Sequence, residues 1–245
     1  MKVLIFGDSN TASLKAGYEA LAAAKKLPRN IDFTIRPFGN SSHYLQPFFE
    51  EKKDHVHITR TSALIAVKRL PSPGEDYDAA FFSGTLNSTR LWRYRCGAFS
   101  PLANTEGKAP ISSGLLRRAV QDHTRYLLDF MAALKRHGVN IHVVEGPRPF
   151  RHHDAVRPDG GEMVQFIDRF YRSQVREALQ ALDVPAIDLP AASYDRDGFT
   201  LDKYRHDNPN DQHHANAAFG KLAFQEIAGY LQKSHKYGKA RSTRN

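Results

Sequence analysis

The pattern of the chain predicts an α/β fold: a three-layer α/β/α sandwich around a five-stranded, mostly parallel sheet. Two observations carry this. Short apolar runs alternate with longer stretches of helical periodicity, the order that builds a parallel sheet with helices on both faces. The short runs are also nearly continuous in apolar residues, as strands covered on both sides are.

The first strand is "KVLIF" (2–6), and an Ala-rich helix from Thr11 to Lys26 follows it, stopped by Pro28. "DFTIRPF" (32–38) and "DAAFFS" (78–83) are the second and third strands. From Gly114 to His137, Leu115, Leu116, Ala119, Val120, Tyr126, Leu127, Phe130, Met131 and Leu134 make a helical stripe, and Gly138 ends the run. "VNIHVVE" (139–145) is the fourth strand. A second stripe runs from Glu162 to Leu182 through Met163, Ile167, Tyr171, Val175 and Leu179. "VPAIDL" (184–189) is the fifth strand, and Ala215–Gln232 the closing helix. These apolar faces read as core. Residues 1–234 are expected to form one domain, and 235–245 a flexible basic tail.

At 245 residues, with 41% hydrophobic and 11% aromatic residues, the chain has enough apolar surface for a sizeable core, and global disorder is excluded. A single cysteine, Cys96, excludes an internal disulfide framework and gives no zinc-knuckle spacing. The apolar N-terminal run is too short for a secretory signal, and no run of 18 apolar residues exists. A cytoplasmic protein with no membrane span is therefore expected. The net charge of +9 is compatible with nucleic acid, an anionic membrane surface or an acidic substrate, and composition does not choose among them.

Open parallel sheets place their ligand site beyond the carboxyl ends of the strands. The informative residues should then sit at 7–10, 39–43, 84–95, 146–153 and just before the last helix. Ser9, in "FGDSN", lies at a strand-to-helix turn, where free N–H groups and the positive helix end favour either a helix cap or an activated nucleophile. On this stretch alone the cap is the simpler role. Before the last helix, "NPNDQHHAN" places Asp211 and His214 three residues apart. A nucleophilic serine needs a base, and the base needs an orienting carboxylate. The pair would supply both, or would cap the last helix. The His213-His214 pair hints at a metal. With only Asp207 and Asp211 nearby, the ligand spacing is poor, and no metal is expected.

"FGDSN" after the first strand, together with "DQHHAN" before the last helix, resembles the SGNH/GDSL hydrolases, and the two motifs bracket most of the chain. The resemblance implies the flavodoxin-like SGNH hydrolase fold and a catalytic triad of Ser9, His214 and Asp211. In "HHAN", Ala215 stands where the family has proline, and this alignment selects His214 over His213 as the base. An oxyanion hole formed by the Ser9 N–H, the Gly39 N–H and the Asn87 side-chain amide is implied as well. The third block departs from the family's Gly-x-Asn-Asp: one extra residue separates Gly84 from Asn87, and Ser88 replaces the acid. Asn87 also reads as an ordinary turn residue, and Asn40 is a nearby substitute. No cofactor is implied.

Two loops at the expected mouth are basic and aromatic. "NSTRLWRYR" carries Arg90, Trp92, Arg93, Tyr94 and Arg95, and "EGPRPFRHH" carries Arg148, Phe150, Arg151, His152 and His153. Rings stack on sugars, and guanidinium groups grip carboxylate or phosphate. Arg90, Trp92, Arg93, Arg148 and Arg151 are thus candidate substrate contacts, or else a solvated basic rim. The expected activity is that of a serine esterase. It would hydrolyse or transfer an ester-linked acyl group, such as O-acetyl on a carbohydrate, with an anionic polysaccharide favoured. The alternatives are a lipase- or thioesterase-type acylhydrolase and a non-catalytic glycan- or nucleic-acid-binding module. No nucleic-acid-binding motif supports the last.

Overall fold

The computed structural model describes residues 1–61, 67–71, 74, 76–95, 98–102, 106–159 and 161–242, without the side chains at 94–95, 157–159 and 234–242. Cys96 and the side chains of Tyr94 and Arg95 lie outside the described residues. In chain order the elements are β1 (Lys2–Gly7), α1 (Thr11–Ala23), β2 (Asp32–Pro37), β3 (Phe49–Glu51), β4 (Val56–Ile58), β5 (Arg69–Leu70) and β6 (Ala79–Ser83). There follow α2 (Thr89–Arg95), β7 (Phe99–Ser100), β8 (Ala109–Pro110), α3 (Ser113–Arg136), β9 (Ile141–Val144), α4 (Glu162–Ala181), β10 (Ala186–Ile187) and α5 (Ala217–Ser242).

The main sheet has the order β10-β9-β6-β1-β2, with every pair parallel. Counted along the chain, its strands lie 2-1-3-4-5, the flavodoxin-like arrangement, and the order reverses between β1 and β6. β1 divides the core. Val3 and Ile5 pack with Leu14, Phe219, Phe224 and Ile227 under α1 and α5. Leu4 and Phe6 pack with Phe82, Phe130, Ile167 and Tyr171 under α3 and α4. Burying these side chains at about 1.5–3 kcal/mol each is the main drive for the sandwich.

All five expected strands and four expected helices are present, with ends shifted by at most three residues, except that α5 runs on to Ser242. α5 thus continues into the stretch expected as a basic tail. The sequence did not foretell the antiparallel β3-β4-β5 sheet or the β7-β8 pair, whose strands of two or three residues are too short to show a period. Among the described residues no helix is long and apolar enough to cross a membrane.

Two backbone approaches set up the site. α1 and α5 cross at Gly17 and Gly220, where a Cβ on Gly17 would lie 2.2 Å from the Gly220 carbonyl carbon and one on Gly220 1.8 Å from Ser13 O. This contact brings the start of α5, and the loop before it, against the start of α1. At the end of β1, Gly7 has φ +154° and a Cβ there would lie 2.0 Å from Ser83 O, so only glycine lets β1 and β6 close together beneath Ser9.

Candidate active site

The β1–α1 turn holds Ser9 out into solvent. Thr11 N–H donates to Asp8 O (3.0 Å) and Ala12 N–H to Ser9 O (3.1 Å), so backbone atoms close the first turn of α1. The Ser9 hydroxyl caps nothing: its Oγ lies 2.7 Å from His214 Nε2. Asn10 does not cap through its side chain either; its backbone N–H and its amide Nδ2 both donate to Asp8 Oδ1, at 2.9 and 3.0 Å.

His214 comes from the loop before α5, and its Nδ1 lies 2.7 Å from Asp211 Oδ2. The other carboxylate oxygen, Asp211 Oδ1, accepts the backbone N–H groups of His213 (3.2 Å) and His214 (3.0 Å). Burial opposes ionisation of Asp211, but the hydrogen bonds from His214 and these N–H groups outweigh it and hold the carboxyl at about 2. Asp211 is therefore an acceptor only at neutral pH. That places the imidazole proton on Nδ1 and leaves Nε2 to accept the Ser9 hydroxyl proton. Ligating atoms of Asp211, His213 and His214 lie within 4.8 Å of one another. Both His214 nitrogens are already engaged, however, so this group suits proton transfer better than a cation.

The Ser9 and Gly39 N–H groups have no hydrogen-bond partner among the described residues. Asn87 lies in the turn after β6, at the strand-order reversal. Its Oδ1 accepts Thr89 N–H at 3.1 Å, which turns its amide NH₂ the other way. That amide comes close enough to the Asp8 carboxyl to favour its charged form. Asp8 is completely buried under Ser9; burial pushes its pKa up, and contacts with Asn10, His214 and Asn87 oppose the rise. A Cβ on Gly84 would lie 2.9 Å from the Asp8 carboxyl carbon, so Asp8 fills the space between the Ser9 and Asn87 turns. The side-chain oxygen of Asn40 accepts the Ser42 N–H and hydroxyl at the head of the 3-10 turn Ser41–Leu45.

Of the expected substrate contacts, Arg90 and Arg93 are near enough to His213 to act on its charge. The His213 ring lies 4.0 Å from that of His214, and Arg90 Nε also donates to Ser41 Oγ (2.9 Å). The other three are engaged within the protein. Trp92 is 2% exposed, because 89–95 winds into a helix instead of a loop and turns the indole inward, where Nε1 donates to Ser88 Oγ (3.1 Å). Arg148 turns back onto buried Glu145 (3.2 Å), with its guanidinium 3.9 Å over the Tyr194 ring. Arg151 is pinned by Asp195 (2.6 Å) and Asp197 over the Phe199 ring, tying two loops together. A cavity of about 290 Å³ opens beside Ser9, lined by small side chains of α1 (Ala12, Ser13, Ala16) and by His206, Asp207 and His214.

His153, in the basic loop after β9, and His213, beside the base, are both held neutral, which the sequence does not show. Burial first, and then neighbouring positive groups including Arg93, push His213 and His153 down to about 4. In the unfolded chain these rings take protons near pH 6.5. Between about 6.5 and 4 the unfolded state thus binds more protons than the folded one, and stability falls as the pH is lowered. The melting temperature should drop across that window, with a shallower slope in His153→Gln; parallel slopes would contradict the assignment.

The sequence matches no protein-family model and no curated protein. Its fold matches solved structures over nearly all of its length. An SGNH hydrolase assignment from Slackia heliotrinireducens superposes with a TM-score of 0.53 at 15% identity, covering 94% of this chain and 98% of that one. An acetyl xylan esterase superposes at 0.50 and 12% identity, over 94% and 100% of the two chains. A GDSL-like lipase from Bacteroides thetaiotaomicron gives 0.50 and 9%, over 95% and 88%.

Proposed function

We propose that this chain, built on the SGNH hydrolase fold, is a serine esterase that hydrolyses or transfers a short acyl group esterified to an anionic carbohydrate. The observation that carries the reading is His214, with one ring nitrogen 2.7 Å from Asp211 and the other 2.7 Å from Ser9. Ser9 Oγ attacks the ester carbonyl as its proton passes to His214 Nε2, and Asp211 stabilises the imidazolium. The Ser9 and Gly39 N–H groups and the Asn87 amide receive the oxyanion. His214 then protonates the departing sugar oxygen, leaving an acyl-Ser9 ester. Water or a second alcohol, deprotonated by His214, releases the acyl group.

The acyl size is inferred from the cavity at Ser9: about 290 Å³ with alanine and serine walls, at the small end for ligand pockets. This favours acetyl-like groups over the long chains of a lipase or thioesterase. The anionic substrate is inferred from Arg90 and Arg93 beside His213. A non-catalytic glycan- or nucleic-acid-binding module would leave the Ser9–His214–Asp211 relay without a use.

The test is paired kinetics on acetylated polygalacturonate and p-nitrophenyl acetate. Turnover of both by the intact chain is expected. Arg90→Ala and Arg93→Ala should raise KM for the polyanion by about tenfold per lost charge-assisted contact, with little change for p-nitrophenyl acetate. Equal losses on both esters would sink the anionic-substrate reading.

A further inference from the structure

We propose that helix α4 sets the position of the Asn87 turn, with Asp168 and Tyr171 as its positioning residues and Ser88 as the link. The inference rests on the reading of Asn87 as an oxyanion donor. Tyr171 and Asp168 stand three apart on α4, on the face turned to β6. Tyr171 OH donates to Thr85 O at 3.0 Å. Asp168 Oδ1 accepts the Ser88 hydroxyl, and Ser88 Oγ in turn accepts Trp92 Nε1–H. The two residues of α4 therefore hold the turn on both sides of Asn87. Leu86, between them, is wholly buried in the core.

Asp168 is itself held. Arg172, one turn along α4, donates through Nε to both Asp168 oxygens (3.0 and 2.9 Å). Through Nη1 and Nη2 it donates to Glu145 (2.9 Å) and Pro147 O (3.2 Å). Glu145 also accepts Leu189 N–H at 3.1 Å. Asp168, Arg172 and Glu145 are 1%, 5% and 2% exposed. Such a buried set is costly unless fully paired, and paired as here it allows a single geometry. Its output is a fixed Ser88, adjacent to Asn87. The Gly84–Asn87 stretch is one residue longer than the family pattern and lacks the acid after Asn87, so the carboxylate that steadies this turn comes from another helix.

Asp168→Asn would leave Arg172 facing a weakened partner inside the core, so folding and catalysis would be confounded. Tyr171→Phe removes only the link to Thr85 O, and Ser88→Ala removes the link to Asp168 together with the acceptor of the Trp92 indole. With p-nitrophenyl acetate, each should lower kcat on the order of tenfold with KM unchanged, within the loss of about 10² that a misplacement of 1 Å causes. In an Asn87→Ala background, Ser88→Ala should cost nothing further, because its effect passes through the missing amide. Full kcat in both single variants, a lowered melting temperature with unchanged kcat, or additive losses in the double variant would overturn the inference. An unaffected Ser9→Ala would overturn the esterase reading and this inference with it. An inactive Ser9→Ala beside fully active Ser88→Ala and Tyr171→Phe would overturn this inference alone.

Discussion

Ser9→Ala is expected to lower kcat for p-nitrophenyl acetate by about 10⁴- to 10⁶-fold, the range seen when a serine nucleophile is removed from a complete triad. The loss should be chemical and not structural. Ser9 is exposed, its hydroxyl hydrogen-bonds only to His214 among the described residues, and backbone atoms close the turn of α1 that follows. The variant should therefore melt with the unaltered chain. A helix-capping serine would behave in the opposite way: its removal costs about 1 kcal/mol of stability and leaves any activity in place. The two roles open for Ser9 in the sequence thus separate in one variant measured two ways. Turnover equal to that of the unaltered chain would remove Ser9 from the mechanism.

Asp211→Asn is expected to lower kcat by about 10⁴-fold, through the wrong tautomer of His214 rather than a lost charge alone. An asparagine NH₂ facing Nδ1 would move the imidazole proton to Nε2, and Nε2 would then donate toward Ser9 instead of accepting from it. Asparagine keeps a carbonyl for the His213 and His214 N–H groups that now bond Oδ1. Alanine would lose these as well and loosen the turn. On the proposed mechanism Ser9, His214 and Asp211 act as one unit, so Asp211→Asn should cost almost nothing more in a Ser9→Ala background. A loss below tenfold in the single variant would mean that Asp211 does not orient the base.

The large features of this molecule were legible in the sequence because they depend on local pattern. Val3, Leu4, Ile5 and Phe6 announce a strand buried on both faces, and β1 indeed feeds the core on each side of the sheet. Asp211 and His214 are three residues apart, so their contact is nearly a local property of the chain. What stayed hidden depends on where side chains of distant elements meet. Trp92 looked like an exposed stacking ring until seven residues of presumed loop wound into α2 and turned it inward. Arg148 and Arg151 looked like substrate grips, but Glu145, Asp195 and Asp197 hold them. The hint for Asp168 was present and passed over. Asp168 and Arg172 form an i,i+4 pair beside the apolar stripe of α4, where an ordinary solvated pair does not belong. Asp8 comes beside the Asn87 turn across the strand-order reversal, 79 positions away in sequence, and no pattern within β1 reports it.

The central claim is that Ser9 is a nucleophile activated by His214, and covalent trapping tests it most directly. Incubating the intact chain with a serine-directed fluorophosphonate and mapping the adduct by peptide mass spectrometry should place one label on Ser9. The label should be absent when the same reaction is run on His214→Ala. A label on any other residue, or undiminished labelling of Ser9 without His214, would contradict the claim.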